Sequence, residues 1–429
     1  MSDNNEAKIK EYNVKLYPIY KMVSWDLLFY YSIVFLFLIQ AKGLTAAEVL
    51  LCDSFYPLFK ALFQIPAISV VDRIGKRNGV VLGNIFLALA ILNLLSFPGI
   101  IAGILLNIFI AAGFTLKGLC ETSLLDECIE DSPKKRSKFS STDGRGNSLW
   151  YFFDAISSIT TGFLFVINPY YPITVCLFFC ILSSFVSLKF KPYEKINKRK
   201  ITGLTDVKNH LKGINSAFKF IFRSNRLRSL IVFAALFHGI LGIRSTMTSS
   251  ILTDMAVPEQ YFGIISAALC IFASIASKHQ NFFQRNFKNK TLTAFSIPYC
   301  ISLLVIGFIS IFNFGFNFTL TIILIMFALQ NIIKGPYYTL IYRYLNSFST
   351  PEMSTKIYSA AALAEGVFRF GITLFASILL DFVSTSYAYI IIGCVFLLIF
   401  NIMLDYMKTR VGLKPEDYNK SDIEYKFVE

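Results

Sequence analysis

The chain has 429 residues, of which 55% are hydrophobic and 16% charged. Soluble domains carry about 25% charged residues, so a soluble fold is excluded and a polytopic membrane protein is expected. The net charge of +14 would suit a nucleic-acid partner, but the placement of the charges along the chain excludes one.

The first 21 residues are polar and read as a cytoplasmic N-terminal segment. The first apolar stretch after them is long enough to span, so no cleavable signal peptide is expected. A bilayer-crossing helix needs about 20 apolar residues. Twelve such spans can be drawn: 22–41, 48–71, 79–97, 99–128, 143–168, 172–190, 227–250, 259–277, 291–311, 317–345, 355–381 and 384–407. The all-α fold expected has twelve transmembrane helices in two six-helix bundles, 22–190 and 227–408. A cytoplasmic linker, 191–226, joins them, and a tail, 409–429, follows. In the linker Leu211, Ile214, Phe218 and Ile221 recur at helical spacing, with Lys208, Lys212, Lys219 and Arg223 on other faces. That pattern predicts a basic amphipathic helix on the inner membrane surface.

If the spans alternate in direction, 35 of the 41 Lys and Arg fall on one side, and only Lys42 lies in an opposite loop. This is the positive-inside distribution, and it places both termini in the cytoplasm. The eight Cys lie within or at the ends of spans without metal-ligand spacing, so they read as packing residues and no metal is expected.

Five cations remain inside spans: Lys60, Lys117, Arg244, Lys334 and Arg369. Five acids join them: Asp26, Asp53, Glu121, Asp154 and Glu365. A charge near the bilayer centre costs about 2.5–3.5 kcal/mol on the insertion scale. Such groups either pair with one another or line a path for a solute.

The halves repeat. Lys117-Gly118 followed by Thr122 in the fourth span matches Lys334-Gly335 followed by Thr339 in the tenth, and Asp154 matches Glu365 in the helix after each. At 1.5 Å per residue, Lys117 and Asp154 lie at similar depth, as do Lys334 and Glu365. Two equivalent ion pairs are expected, Lys117–Asp154 and Lys334–Glu365. Glu121 and Arg369 follow at i,i+4 and share a helix face with one member of each pair. A carboxylate that exchanges partners can take up and release a proton. Asp154, Glu365 and Glu121 are therefore candidates for proton coupling. So is His238 in the seventh span, although a lone His also serves as a hydrogen-bonded packing residue.

Arg244 opens a polar run, Ser245-Thr246-Met247-Thr248-Ser249-Ser250. It could meet an anionic group of a solute, or pair with Asp254 or Asp53 at an outer gate. Lys60 shares a face with Asp53. Tyr30, Tyr31, Tyr337 and Tyr338 offer aromatic, hydrogen-bonding surface, and Gly335-Pro336 should bend the tenth span.

Between the second and third spans stands Asp72-Arg73-Ile74-Gly75-Lys76-Arg77. This short polar link resembles the signature loop of the major facilitator superfamily of transporters. The resemblance implies two pseudo-symmetric bundles and alternating access around a central cavity. It makes Asp72, Arg73, Gly75, Lys76 and Arg77 a gating loop, with Asp72 facing the start of the eleventh helix near Ser354 and Thr355. The second-half counterpart, Gln284-Arg285-Asn286-Phe287-Lys288, lacks the acid and the Gly. Neither the Arg-x-x-Gln-Gly of the fourth helix nor the Gly-Pro motif of drug/proton antiporters is present.

No phosphate loop, nucleophile–base pair or cofactor motif is readable, so neither an enzyme nor a cofactor is expected. The expected protein is a monomeric secondary active transporter of the plasma membrane, bacterial in type, that works within the lipid bilayer. Its solute is a small organic compound, with protons as the coupling ion. Proton-coupled export (efflux) of an amphipathic compound is the first reading. Proton-linked uptake of a polar metabolite is the second. A non-transporting sensor or lipid-moving protein on the same scaffold is the third.

Overall fold

The computed structural model describes residues 3–129, 133, 135–191, 225–287, 291–312, 314–347 and 354–409. The linker helix expected around 208–223 and most of the C-terminal tail lie outside the described residues. Fourteen helices are present among those described: α1 (Asp3–Ser24), α2 (Val34–Gln40), α3 (Ala46–Ile74), α4 (Lys76–Ser96), α5 (Gly99–Cys128), α6 (Lys135–Ile167), α7 (Tyr170–Leu188), α8 (Asn225–Asp254), α9 (Gln260–Lys278), α10 (Gln280–Phe287), α11 (Thr291–Phe312), α12 (Phe316–Ser347), α13 (Ser354–Phe382) and α14 (Thr385–Thr409). Ten of them are long and apolar enough to cross a membrane. Helix α3, whose halves Ala46–Gln64 and Pro66–Ile74 meet at 54°, makes an eleventh when its two halves are taken as one bent span. Pro66 supplies the kink, because its ring removes a hydrogen bond and clashes with the preceding turn.

The first span departs from expectation. It is not one helix over 22–41. Helix α1 begins at Asp3 and ends at Ser24, residues 25–33 turn without helix, and α2 resumes at Val34. The polar start of α1 is held by Glu6–Lys10 and Glu11–Lys15 pairs at i,i+4 (2.9 and 2.7 Å). Asn13 ties it to the end of α7, donating to the Lys191 carbonyl (3.0 Å) and accepting from the Lys191 amide (2.9 Å).

The chain divides into two compact units. One comprises Met1–Thr45, Phe55–His210 and Pro258–Ile264; the other comprises Ala46–Ser54, Leu211–Val257 and Ile265–Glu429. The same helix pairings build both. In the first unit α1 packs on α6 and α7, and α4 on α5 and α7. In the second α8 packs on α13 and α14, and α11 on α12 and α14. Counting α1 with α2 as the first span, these are the same four pairings shifted by six spans. The internal repeat read from Lys117 and Lys334 is thus a repeat of architecture.

Small residues set the close approaches. A Cβ on Gly83 of α4 would lie 2.8 Å from Lys117 Cγ and 3.0 Å from the Gly113 carbonyl of α5. Gly335 of α12 lies directly against the Ala273 carbonyl of α9. Without a hydrophobic drive between helices in lipid, such van der Waals contact is what holds bundles together. Six of the eight cysteines are buried, Cys270 and Cys394 are exposed, and none is joined in a disulfide among the described residues.

Candidate transport site

The Asp72 loop is tighter than a six-residue link. Asp72 and Arg73 complete the last turn of α3, Lys76 and Arg77 begin α4, and Gly75 alone is non-helical. Its φ of +82° and ψ of 161° belong to glycine. Arg77 donates from Nε to the Phe190 carbonyl (3.0 Å) and from Nη2 to the Leu188 carbonyl (2.6 Å). A cation there meets the negative end of α7. Lys76 pairs with Glu127 at the end of α5. Asp72 and Arg73 are exposed.

In the N-terminal unit, polar groups gather where α1 ends. Lys117 is only 2% exposed. Its ammonium donates to the Ser24 carbonyl and lies 3.5 Å from Glu121. Glu121 accepts from the Tyr20 hydroxyl (2.5 Å), which accepts from Asn84 (3.0 Å). The expected Lys117–Asp154 pair is therefore replaced by Lys117–Glu121. Equal depth does not fix the direction a side chain takes around its helix, and the freed carbonyl of Ser24 gives Lys117 a second acceptor. The carboxylate of Asp154, half-buried on α6, has no hydrogen-bond or ion-pair partner among the described residues.

The break itself is polar. Asp26 accepts from the Leu27 amide (2.8 Å) and from the Tyr31 hydroxyl (2.7 Å). Tyr30 packs edge-on against Tyr31, with ring centres 4.9 Å apart. Phe29 adopts φ +61°, a conformation costly for a bulky side chain, and stacks on Phe179 at 5.6 Å. Broken helices of this kind occur in transporters, where unwound backbone faces a solute or ion. Lys60 lies with its ammonium 5.6 Å from the Tyr56 ring.

In the C-terminal unit two separately chosen candidates meet. His238 Nδ1 of α8 lies 3.0 Å from Glu365 Oε1 of α13. The His238 ring stacks on Tyr338 of α12, with centres 4.8 Å apart and planes 15° apart, and meets Tyr337 edge-on at 5.3 Å. Arg369, one turn after Glu365, crosses α8 at Gly242, where an added Cβ would stand 2.5 Å from its Nε. Thr246 donates to Asp53 (2.6 Å), and Arg244 forms no salt bridge among the described residues. Lys334 sits on α12 beside Gly335. No group of His, Cys, Asp and Glu able to hold a metal occurs among the described residues.

Several of these partners were not foreseen. Tyr20, Asn84 and Ser24 in the first unit are neutral, as are Tyr299 and Gln330, which line a small pocket beside Arg244 in the second. Asn84 and Gln330 stand in the middle of apolar runs, which is the signal that would have found them.

The sequence profile of the Major Facilitator Superfamily matches residues 21–318, more than half of the chain. The chain belongs to this superfamily. It is a multi-pass membrane transporter and not an enzyme. No curated protein matches its sequence. The crystal structure of the nucleoside transporter NupG aligns with a TM-score of 0.71 at 10% identity, over 93% of this chain and 99% of that one. A POT family transporter in complex with 5-aminolevulinic acid aligns at 0.63 with 15% identity, over 94% and 95%. The peptide transporter POT in complex with sulfate aligns at 0.61 with 14% identity, over 95% and 94%. At such identities the likeness is one of fold, the major facilitator fold.

Proposed function

We propose that this major facilitator protein is a proton-coupled secondary transporter of a small organic solute, working as a monomer by alternating access in a bacterial plasma membrane. Its termini lie in the cytoplasm, and the Asp72–Arg77 loop serves as its inner gate. The observation that carries the reading is His238 at 3.0 Å from Glu365. A base and an acid this close inside apolar helices are placed to pass a proton between them. Tyr338 holds the imidazole from one face, and Arg369 stands one turn along α13 to take the carboxylate when His238 releases it. Asp154 and Glu121 are the corresponding carboxylates of the first half.

Export of an amphipathic compound is the direction proposed, and the tyrosines around His238 suit such a ligand. The second reading, uptake of a polar metabolite, is favoured by the nucleoside and peptide transporters that share the fold.

The test uses proteoliposomes with a trapped pH dye and solutes chosen by thermal shift from a diverse library. A transported solute should move protons with it. Glu365→Gln and His238→Asn should keep solute counterflow and lose the proton movement. Full dependence on the pH gradient in both variants, and in Asp154→Asn, would rule the coupling out.

A further inference from the structure

The C-terminal unit contains a small, mainly apolar pocket with a few polar groups in its walls, which proton coupling does not use. It lies among α8, α11, α12 and α14, with Arg244, Tyr299, Gln330 and Tyr389 in its walls beside Ile243 and Leu303. Three of its groups have a buried polar atom without a hydrogen-bond partner: Arg244 Nε, Tyr299 Oη and Gln330 Oε1. Tyr299 and Gln330 are fully buried.

The charge decides what such a pocket takes. A guanidinium stays protonated in any protein environment, and the buried Nε–H of the half-buried Arg244 has no acceptor, which leaves a charged donor unmet. Asp53, one of the acids expected to answer Arg244, is engaged by Thr246. Arg244 forms no salt bridge among the described residues, so an anion entering the pocket would meet an unmatched positive charge. Arg Nε–H and Tyr O–H both donate. The Gln330 amide now gives Nε2 to Ser302 Oγ (3.0 Å), while Ser302 donates to the Tyr299 carbonyl (2.6 Å). Amide oxygen and nitrogen have nearly the same shape. If the Ser302 hydroxyl swings to Gln330 Oε1, the amide presents its NH2 to the pocket. Three donors, one of them charged, then converge on space for one water-sized group.

We infer that this pocket is an anion site, filled by a halide-sized inorganic anion or by one carboxylate oxygen of the transported solute. Arg244 supplies the charge, and Tyr299 and Gln330 supply the remaining donors. The flanking isoleucine and leucine exclude water and strengthen each contact.

Full-length protein in nanodiscs, melted in sodium chloride, bromide, formate and acetate at constant ionic strength, tests this, with bulky methanesulfonate as reference. At least one small anion should raise the melting temperature saturably. The half-saturating concentration should rise roughly tenfold in Arg244→Gln, as expected when a charge-assisted bond is removed, and by less in Tyr299→Phe. A response to chloride and bromide alone identifies an inorganic ion; a response to formate or acetate identifies the head of a solute. If Arg244→Gln does not fold, Tyr299→Phe and Gln330→Leu carry the comparison. Identical melting in every salt, or a response unchanged in the variants, overturns the site and leaves a water as its occupant. Either result is independent of proton coupling, which the pH dye reads.

Discussion

Lys117 of α5 brings its ammonium to the carbonyl of Ser24, the last residue of α1. The side chain that caps this helix is also the partner of Glu121. One buried cation therefore satisfies an orphan carbonyl at a helix end and a carboxylate on its own helix.

Replacing it tests both roles. Lys117→Met should cost about 3–5 kcal/mol, because Glu121 is left as an uncompensated buried charge. The double variant Lys117→Met/Glu121→Gln should recover part of that. Unfolding in detergent, followed by circular dichroism, checks the order; equal losses in the two would mean that Glu121 does not depend on Lys117.

The turn at Gly75 separates two kinds of loop residue. Gly75→Ala should cost about 1–3 kcal/mol, since a side chain is strained at φ +82°. Asp72 is exposed, so Asp72→Asn should melt like the parent protein yet transport more slowly. Melting curves and initial transport rates, measured on the same preparations, separate the two effects.

Gly83 is a packing position. Gly83→Val would push α4 off α5 through Lys117 Cγ and the Gly113 carbonyl. Overpacking of this kind costs about 1–3 kcal/mol. The melting temperature should fall, whereas Gly118→Ala, which meets open space, should leave it unchanged.

The chain has two tryptophans, and they stack on each other, Trp25 on Trp150 with ring centres 6.0 Å apart. Lys21 lies 3.9 Å over Trp25 and pairs with Asp143. Asp143→Asn should loosen this cluster, shifting tryptophan emission to the red and lowering the melting temperature. Unchanged emission would show that the stack is held without Asp143.

The membrane-spanning helical fold and its repeat were legible because lipid imposes length and apolarity, which a sequence displays directly; ten of the twelve spans drawn are single spanning helices among the described residues. The break at 25–33 was not, since Leu27, Leu28, Phe29, Ile33 and Val34 are as apolar as any helix around them and Asp26 is a single interruption. Depth along a helix can be counted, and it put Lys117 level with Asp154. Which way Lys117 turns is decided by neighbours such as Gly83 and Ser24, from distant parts of the chain. Glu365 stood out as a charge within a span and His238 as a lone histidine in mid-span, but their contact depends on α8 and α13 packing together, which no spacing reveals.

Gly75 leaves no slack between α3 and α4. A long loop would absorb a displacement of one helix before the next felt it. Here the end of α3 is geared through a single residue to Lys76 and Arg77, and through them to the ends of α5 and α7. A push at Asp72 is therefore delivered to three helices of the N-terminal unit at once, as a lever delivers force through a rigid fulcrum.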